Sequence, residues 1–576
     1  VLDLTITPAQ YSEHLHLELI LVFKELTIMK NTTINYFLKS VAVVLLVIVS
    51  SCDKEVLDLQ PATSLSDKSA FSTPSTIELA VVGVYDAAQS GFYAGGAIRG
   101  YPFGAAHVEQ GDNRGEDVIS TQAFYGITYD GAYDPTTANN DFMWQTLYSL
   151  INKANVVLDG LNKATPGGTL TQQVIDQYKG EMYFLRALAH HELLKHFARP
   201  YSDNPTAPKG GVVNRTAPIA DGASADAAGQ QGRNTVQEGY DLILADLNLA
   251  ETNLPATRSS VSLKISRATK AAAVALKTRV YLHMGDWAKV VTEGNKLAVG
   301  SSIPFAPDAA YGSYSLTSSP LGPFTAAGSK NNTESIFSIE NNDVDNAGVN
   351  GALPTMYNVS KAPVNGRALV CISPVLWNNT WFLDTDLRKS STMVDDDAAG
   401  PGRAAKYTKK YSDAVARTDN APVIRYAEVL LNMAEAIQRQ VGTPDARALA
   451  LLNAVRNRSV TTLADQFTIA SFPTANDLIT AVLRERRIEF VCEGLRWGDI
   501  HRLAQDATFG TGGIPLKANR TVTNWSSFYR TATNPTPAAF GTQAAIPYSD
   551  KRFIWPIPAS ETNVNPVLAG QQNPGY

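Results

Sequence analysis

Cysteine is scarce in this chain, with three residues in 576: Cys52, Cys371 and Cys492. A disulfide framework of the kind that holds small secreted domains together is thereby excluded, and a chain this long can bury a core without one. Cys371 and Cys492 are expected to be free, each serving as a small buried hydrophobe. Long apolar runs are missing too. The nine apolar residues from Val41 to Val49 fall short of the about 20 that a membrane-spanning helix needs. Neither sign of charge prevails, with 49 Lys and Arg against 54 Asp and Glu, so the basic face of a nucleic-acid-binding protein is not expected. There is no GxSxG elbow, Walker loop, dinucleotide fingerprint or metal-ligand cluster, the patterns that position nucleophiles, phosphates and metals. No cofactor is expected.

Around the apolar run the sequence becomes informative. Lys30 and Lys39 precede it and Ser50 and Ser51 follow it, the order of a secretory signal segment. Residues 29–51 are read as that segment. Residues 1–28 carry Asp3, Glu13, Glu18 and Glu25 against a single Lys24, an acidic balance that such a segment avoids, and are set aside as upstream sequence. "VSSC", Val49 to Cys52, resembles the lipobox of bacterial lipoproteins. That resemblance implies lipidation of Cys52, and acyl chains contribute about 0.8 kcal/mol per buried methylene to a membrane anchor.

Helical periodicity dominates the rest. Trp144, Leu147, Ile151, Ala154 and Leu158 recur at three- and four-residue steps, one apolar stripe of a long helix. The stretch starting at Gln172 predicts a second, stopped by Pro200 and Pro205, and "TVQEGYDLILADLNLAETNLP" a third, ended by Pro255. Ser266 to Val299 reads as two helices hinged at "MGDW", with the alanines, Tyr281, Gly285 and Trp287 of a tetratricopeptide-like hairpin. Pro422 to Ser459 reads as another, turning at Gly442 and Pro444. "ESIFSIE" alternates as a short strand expected to pair locally. The fold class expected is mainly α, a tetratricopeptide-repeat-like scaffold of helical hairpins with long irregular loops and a few short strands. Residues 52–300 would form an N-terminal helical part and 301–576 a C-terminal part with loops and a further hairpin. Residues 221–233 read as linker.

Three motifs carry less chemistry than they first suggest. "HHELLKH" places His191 and His196 five apart, so on a helix they diverge by about 140°. A surface pair of Glu192 and His196 is expected instead. "DVDNAG" has Asp343, Asp345 and Gly348 at calcium-loop spacing, but Ala347 and Pro354 stand where ligands are required, leaving a turn. "LRERRIEFVCEGLRWGDIHRL" alternates acids and bases, as in a helix laced by salt bridges. Ile479, Val482, Leu483, Phe490 and Val491 would supply its apolar side.

The irregular stretches are rich in aromatic, amide and glycine residues. From Gly91 to Tyr133 the chain interleaves Tyr101, Phe103, Tyr125, Tyr129 and Tyr133 with Asp112, Asn113 and Arg114. Glycines would let a ligand approach the backbone and the rings, and loops on rigid scaffolds often carry recognition. These eight residues are the principal ligand-binding candidates. Tyr357, Trp377 and Trp381 in later loops are added to them, although Trp377 and Trp381 could equally pack as one helical turn.

Several stretches, in order, resemble the SusD/RagB family of surface nutrient-binding lipoproteins. They are "CDKEVLDLQPATSLSDKSAFSTPSTIELAVVGVYDAA", "LYSLINKANVVLD", "EMYFLRALAHHELLKHFARPY", "IRYAEVLLNMAEAI", "RERRIEFVCEGLRWGDIHRL" and the terminal "IPASETNVNPVLAGQQNPGY". The resemblance implies a lipid anchor in the outer membrane facing the cell exterior and a SusC-like TonB-dependent transporter as partner. It also implies binding of a nutrient, such as a glycan, and no catalysis. A tetratricopeptide adaptor that binds protein is the alternative, and a paired-carboxylate glycosidase a more distant one.

Overall fold

In the computed structural model, residues 70–91, 99–397, 404–522 and 524–576 are described. Helix α1 (Pro74–Ser90) opens with Pro74 at its first position and a reciprocal cap between Thr73 and Thr76, which satisfies amide donors that a helix start leaves bare. Two shorter helices follow, α2 (Ala106–Asn113) and α3 (Ala123–Asp130), and then the long α4 (Ala138–Lys163) and α5 (Gln172–Phe197). The predicted stripe of α4 is buried along its whole length. Helix α6 (Val236–Asn253) starts at a capping box of Thr235 and Glu238, ends before Pro255 and lies against α5.

The first expected hairpin is α7 (Lys270–Met284) with α8 (Trp287–Gly294). Its hinge, Gly285, has φ 73°, a left-handed conformation that glycine adopts without the usual Cβ penalty. Ala271, Ala272, Ala273 and Ala275 are all buried, so neighbours close on α7 from every side. The second hairpin is α9 (Tyr426–Arg439) with α10 (Ala446–Arg456), turned at Gly442 and capped by Asp445. Helix α9 packs against both α7 and α8, so the hairpins stand side by side. Helices α11 (Ala475–Glu489) and α12 (Arg496–Leu503) complete the scaffold. One hydrophobic cluster runs from Ile77 to Leu568, and Phe71–Tyr576 form one compact unit. Cys371 and Cys492 are buried and not joined in a disulfide, as expected.

Four readings are corrected. The stretch from Gly91 to Tyr133 is not an open loop among the described residues, since it contains α2, α3 and strand β1 (Val118–Ser120) between them. Strand β2 (Ser335–Ile339) does not pair locally. After β3 (Val370–Ile372), β4 (Val394–Asp396) and β5 (Lys406–Thr408) comes its antiparallel partner β6 (Ala421–Arg425). The others form one antiparallel sheet in the order β1-β3-β5-β4. Residues 221–233 are not plain linker, because Asp221 and Ser224 cap a helix at Gly222–Ala228. Arg233 is fastened to the carbonyl oxygens of Gly211 and Gln571, 2.7 and 2.9 Å away.

The fourth concerns charge. Glu192 does accept from His196 at 2.9 Å, yet both are buried, not on the surface. Most charges of α11 are likewise paired, but largely inside the protein. Glu489 meets Arg458 at 2.5 Å, Arg388 at 3.0 Å and Arg425 at 3.1 Å. Arg425 also meets Glu493 and Glu334, and Lys410 meets Glu493 at 2.6 Å. Glu485 faces Arg388 and Arg456. Burial pushes the Glu489 carboxyl up, but Arg458, Arg425 and Arg388 outweigh it and hold the group well below its ordinary range.

Candidate functional site

The structure places ten of the eleven ligand candidates in the interior. Tyr101 is 1% exposed and accepts from Gln110 at 2.9 Å, and Phe103 packs on His107. Tyr129 donates to the carbonyl of Ala518 at 2.7 Å, and Tyr133 to that of Arg552. Tyr125 is buried edge-on against Phe124. Tyr357 donates to Asp112 at 2.7 Å, and Asp112 also accepts from the amide of Gly494 at 2.9 Å. Burial pushes the Asp112 carboxyl up to about 7. Arg114 lies 3.4 Å over the Trp497 ring and bonds His196 and the carbonyl of Phe553. Asn113 is fully buried beside it. Trp377 donates to the carbonyl of Arg530 at 2.9 Å and packs edge-on against Tyr529.

Rings and polar groups so enclosed present no face to solvent in this structure, and Trp381 is the one half-buried candidate. The glycines misled for a physical reason. A Cβ on Gly111 would sit 2.0 Å from the carbonyl oxygen of Gly494, and one on Gly104 2.0 Å from that of Gln89. They admit neighbouring backbone where a ligand was expected.

Trp381 lines an open cleft of about 290 Å³. The linker between α10 and α11 supplies Phe467 and Phe472, whose rings meet edge-on at 5.1 Å. Asn453 of α10 donates to the carbonyl of Phe467 at 2.9 Å and holds that linker in place. Helix α11 contributes Arg484, its guanidinium 5.7 Å from the centre of the Trp381 ring, which Arg487 also approaches, at 5.4 Å, from outside the cleft. Arg456 of α10 lies 4.4 Å over Phe467. The result is an aromatic-walled groove with cationic edges, suited to stacking a flat, hydroxyl-bearing molecule while guanidinium groups bond its oxygens. Phe467, Phe472 and Arg484 were not among the sequence candidates. Two phenylalanines five apart in a polar linker were the available signal.

A second cleft, of about 300 Å³, lies between α1 and the loop after β2. Its central groups are engaged within the protein: Tyr85 donates to Glu181 at 2.5 Å, and Arg267 pairs with the same carboxylate. Among the described residues no group of His, Cys, Asp and Glu side chains is arranged to hold a metal ion. No helix among them is long and apolar enough to cross a membrane.

Two family models match the chain: one described as the SusD family over residues 378–576, and one described as "Starch-binding associating with outer membrane" over residues 56–282. The chain belongs to the SusD/RagB family. A SusD-like protein of Formosa agariphila is 24% identical over 503 residues, covering 81% of this chain and 91% of that protein. A solved SusD superfamily protein from Bacteroides fragilis is 27% identical, with a TM-score of 0.66 and coverage of 86% of this chain and 99% of that one. A SusD-like carbohydrate binding protein from Bacteroides vulgatus shares the fold at 19% identity, with a TM-score of 0.64 over 86% of this chain and 97% of that one. This SusD/RagB chain therefore has the helical, tetratricopeptide-like fold expected of it. The SusD family match contains Trp381 and the Phe467–Phe472 linker, and the other contains the buried stretch from Tyr101 to Tyr133.

Proposed function

We propose that this chain is a non-catalytic surface lipoprotein that binds an oligo- or polysaccharide and hands it to a SusC-like TonB-dependent outer-membrane transporter. The match to a family model described as starch-binding and associating with the outer membrane carries this reading. The SusD-like relatives agree with it, and the aromatic groove at Trp381 supplies a surface of the right chemistry.

Cys52, which lies outside the described residues, is the proposed point of lipid attachment. Mass spectrometry of the native amino-terminal peptide is expected to find Cys52 acylated. A Cys52→Ala chain that still sediments with membranes would count against it.

The binding reading is tested on a glycan array followed by calorimetry. One aromatic platform contributes about 0.5–1.5 kcal/mol beyond area burial, so Trp381→Ala is expected to weaken binding several-fold with the fold intact by circular dichroism. Unchanged affinity would place the groove outside the site. Steady release of products from a glycan would favour a glycosidase instead. The adjacent helical hairpins favour a second reading, a protein-binding adaptor of the envelope. That alternative predicts no glycan retention but co-purification with an envelope protein, whereas the proposed function requires glycan retention.

A further inference from the structure

We infer that the Trp381 cleft is a subsite for a negatively charged sugar, one bearing a carboxylate or a sulfate ester; this rests on the carbohydrate-binding reading above. Asp477 is engaged in capping α11, accepting from the amide and hydroxyl of Thr474 at 2.9 and 2.7 Å. Glu485 is engaged by Arg388 at 2.5 Å and Arg456 at 3.1 Å. Arg487, one turn beyond Arg484, is held by Asp117 and by Glu116 at 2.9 Å. Glu485 is thus neutralised inside the protein, while Asp477 stays exposed with one carboxylate oxygen on Thr474.

Arg484 is different. It is exposed, and among the described residues its guanidinium forms no ion pair and lies against the Trp381 ring. Arg456, only 4% exposed, lies beneath the cleft, paired with Glu485 at 3.1 Å. The groove therefore presents an exposed guanidinium without an ion-pair partner, backed by an indole, above a buried guanidinium paired with Glu485. The indole restrains the Arg484 side chain and displaces part of its water. A neutral sugar would gain only stacking and weak hydrogen bonds there. A carboxylate or sulfate would add charge-assisted bonds to a planar, forked donor.

Affinity electrophoresis of the full chain tests this. The gels contain polygalacturonate, alginate or carrageenan as anionic polymers, and galactan, xylan or amylose as neutral ones, each normalised to a polymer-free gel. Retardation by at least one anionic polymer is expected. Arg484→Gln should weaken it about ten-fold, the low end for a charge-assisted bond, and Arg484→Lys should restore part of it. The carboxylated and sulfated polymers tell the two anions apart. Retardation by neutral polymers only would overturn the subsite and leave the carbohydrate reading standing. Anionic retardation unchanged in Arg484→Gln would overturn the assignment to this cleft. No retardation by any of the six would overturn both. Because Arg484 is exposed, the variant should fold, and circular dichroism verifies that.

Discussion

Replacing Glu489 by alanine is expected to remove about 3–5 kcal/mol of stability, the range found when one partner of a buried ion pair is deleted. The carboxylate is 2% exposed and shared by Arg388, Arg425 and Arg458. Around it five acids, Asp386, Glu334, Glu485, Glu489 and Glu493, meet five bases, Arg388, Arg425, Arg456, Arg458 and Lys410. The cluster is neutral as built, and losing one acid leaves a net positive charge where water cannot reach it. Glu489→Gln should cost nearly as much, because it keeps the volume and loses the charge. Adding Arg458→Gln to it should recover part of the loss, a coupling that a double-mutant cycle measures. By contrast Asp159→Ala, which breaks the exposed pair with Lys163, should cost less than about 0.5 kcal/mol. Urea unfolding of these four variants and of Arg458→Gln alone gives the numbers. A Glu489→Ala loss below about 1 kcal/mol would mean that the network does not hold the core.

The same cluster shows what the sequence could and could not disclose. Alternating acids and bases in "LRERRIEF" announced ion pairs. The partners come from Glu334, Arg388, Arg425 and Arg458, scattered over more than a hundred positions, and periodicity within one segment is blind to them. Helices were legible where one face meets the core, as at Trp144 to Leu158 in α4. In α7 burial on all sides erases the amphipathic pattern, and the hinge at Gly285 with its flanking residues identified the hairpin instead. The Gly91–Tyr133 reading failed at a different level. Glycine-rich, tyrosine-rich sequence suits both a ligand loop and an irregular core whose hydroxyls bond distant carbonyls. Only the contact of Gly111 with Gly494 distinguishes the two, and no local feature encodes it. Trp381 was therefore legible as one aromatic among many, while the cleft around it depends on a linker some ninety residues further along the chain.

Acid is expected to destabilise the protein through its histidines. All six in the described residues, His107, His190, His191, His196, His283 and His501, are buried. Burial lowers their affinity for protons: to about 4 for His107 and His196, to about 3 for His190, His191 and His501, and well below the ordinary value for His283. The unfolded chain binds protons at these sites from about pH 6.5 downward, while the native state does not. Stability from these groups is thus complete above pH 6.5 and is lost as pH falls towards their native values, at about 1.4 kcal/mol per pH unit for each. Carboxyls whose affinity burial raises, Asp112 to about 7 and Asp419 to about 6, act in the opposite sense over part of the same window. One substitution isolates the histidine contribution from that offset. The His283 ring packs 4.9 Å from that of His191, and its Nδ1 has no hydrogen-bond partner. His283→Gln should flatten the dependence of unfolding free energy on pH by about 1.4 kcal/mol per unit between pH 6 and 5, one proton's worth. Urea titrations at several pH values read that slope for both proteins. Equal slopes would show that His283 takes up its proton in the folded state and that its burial exerts no such penalty.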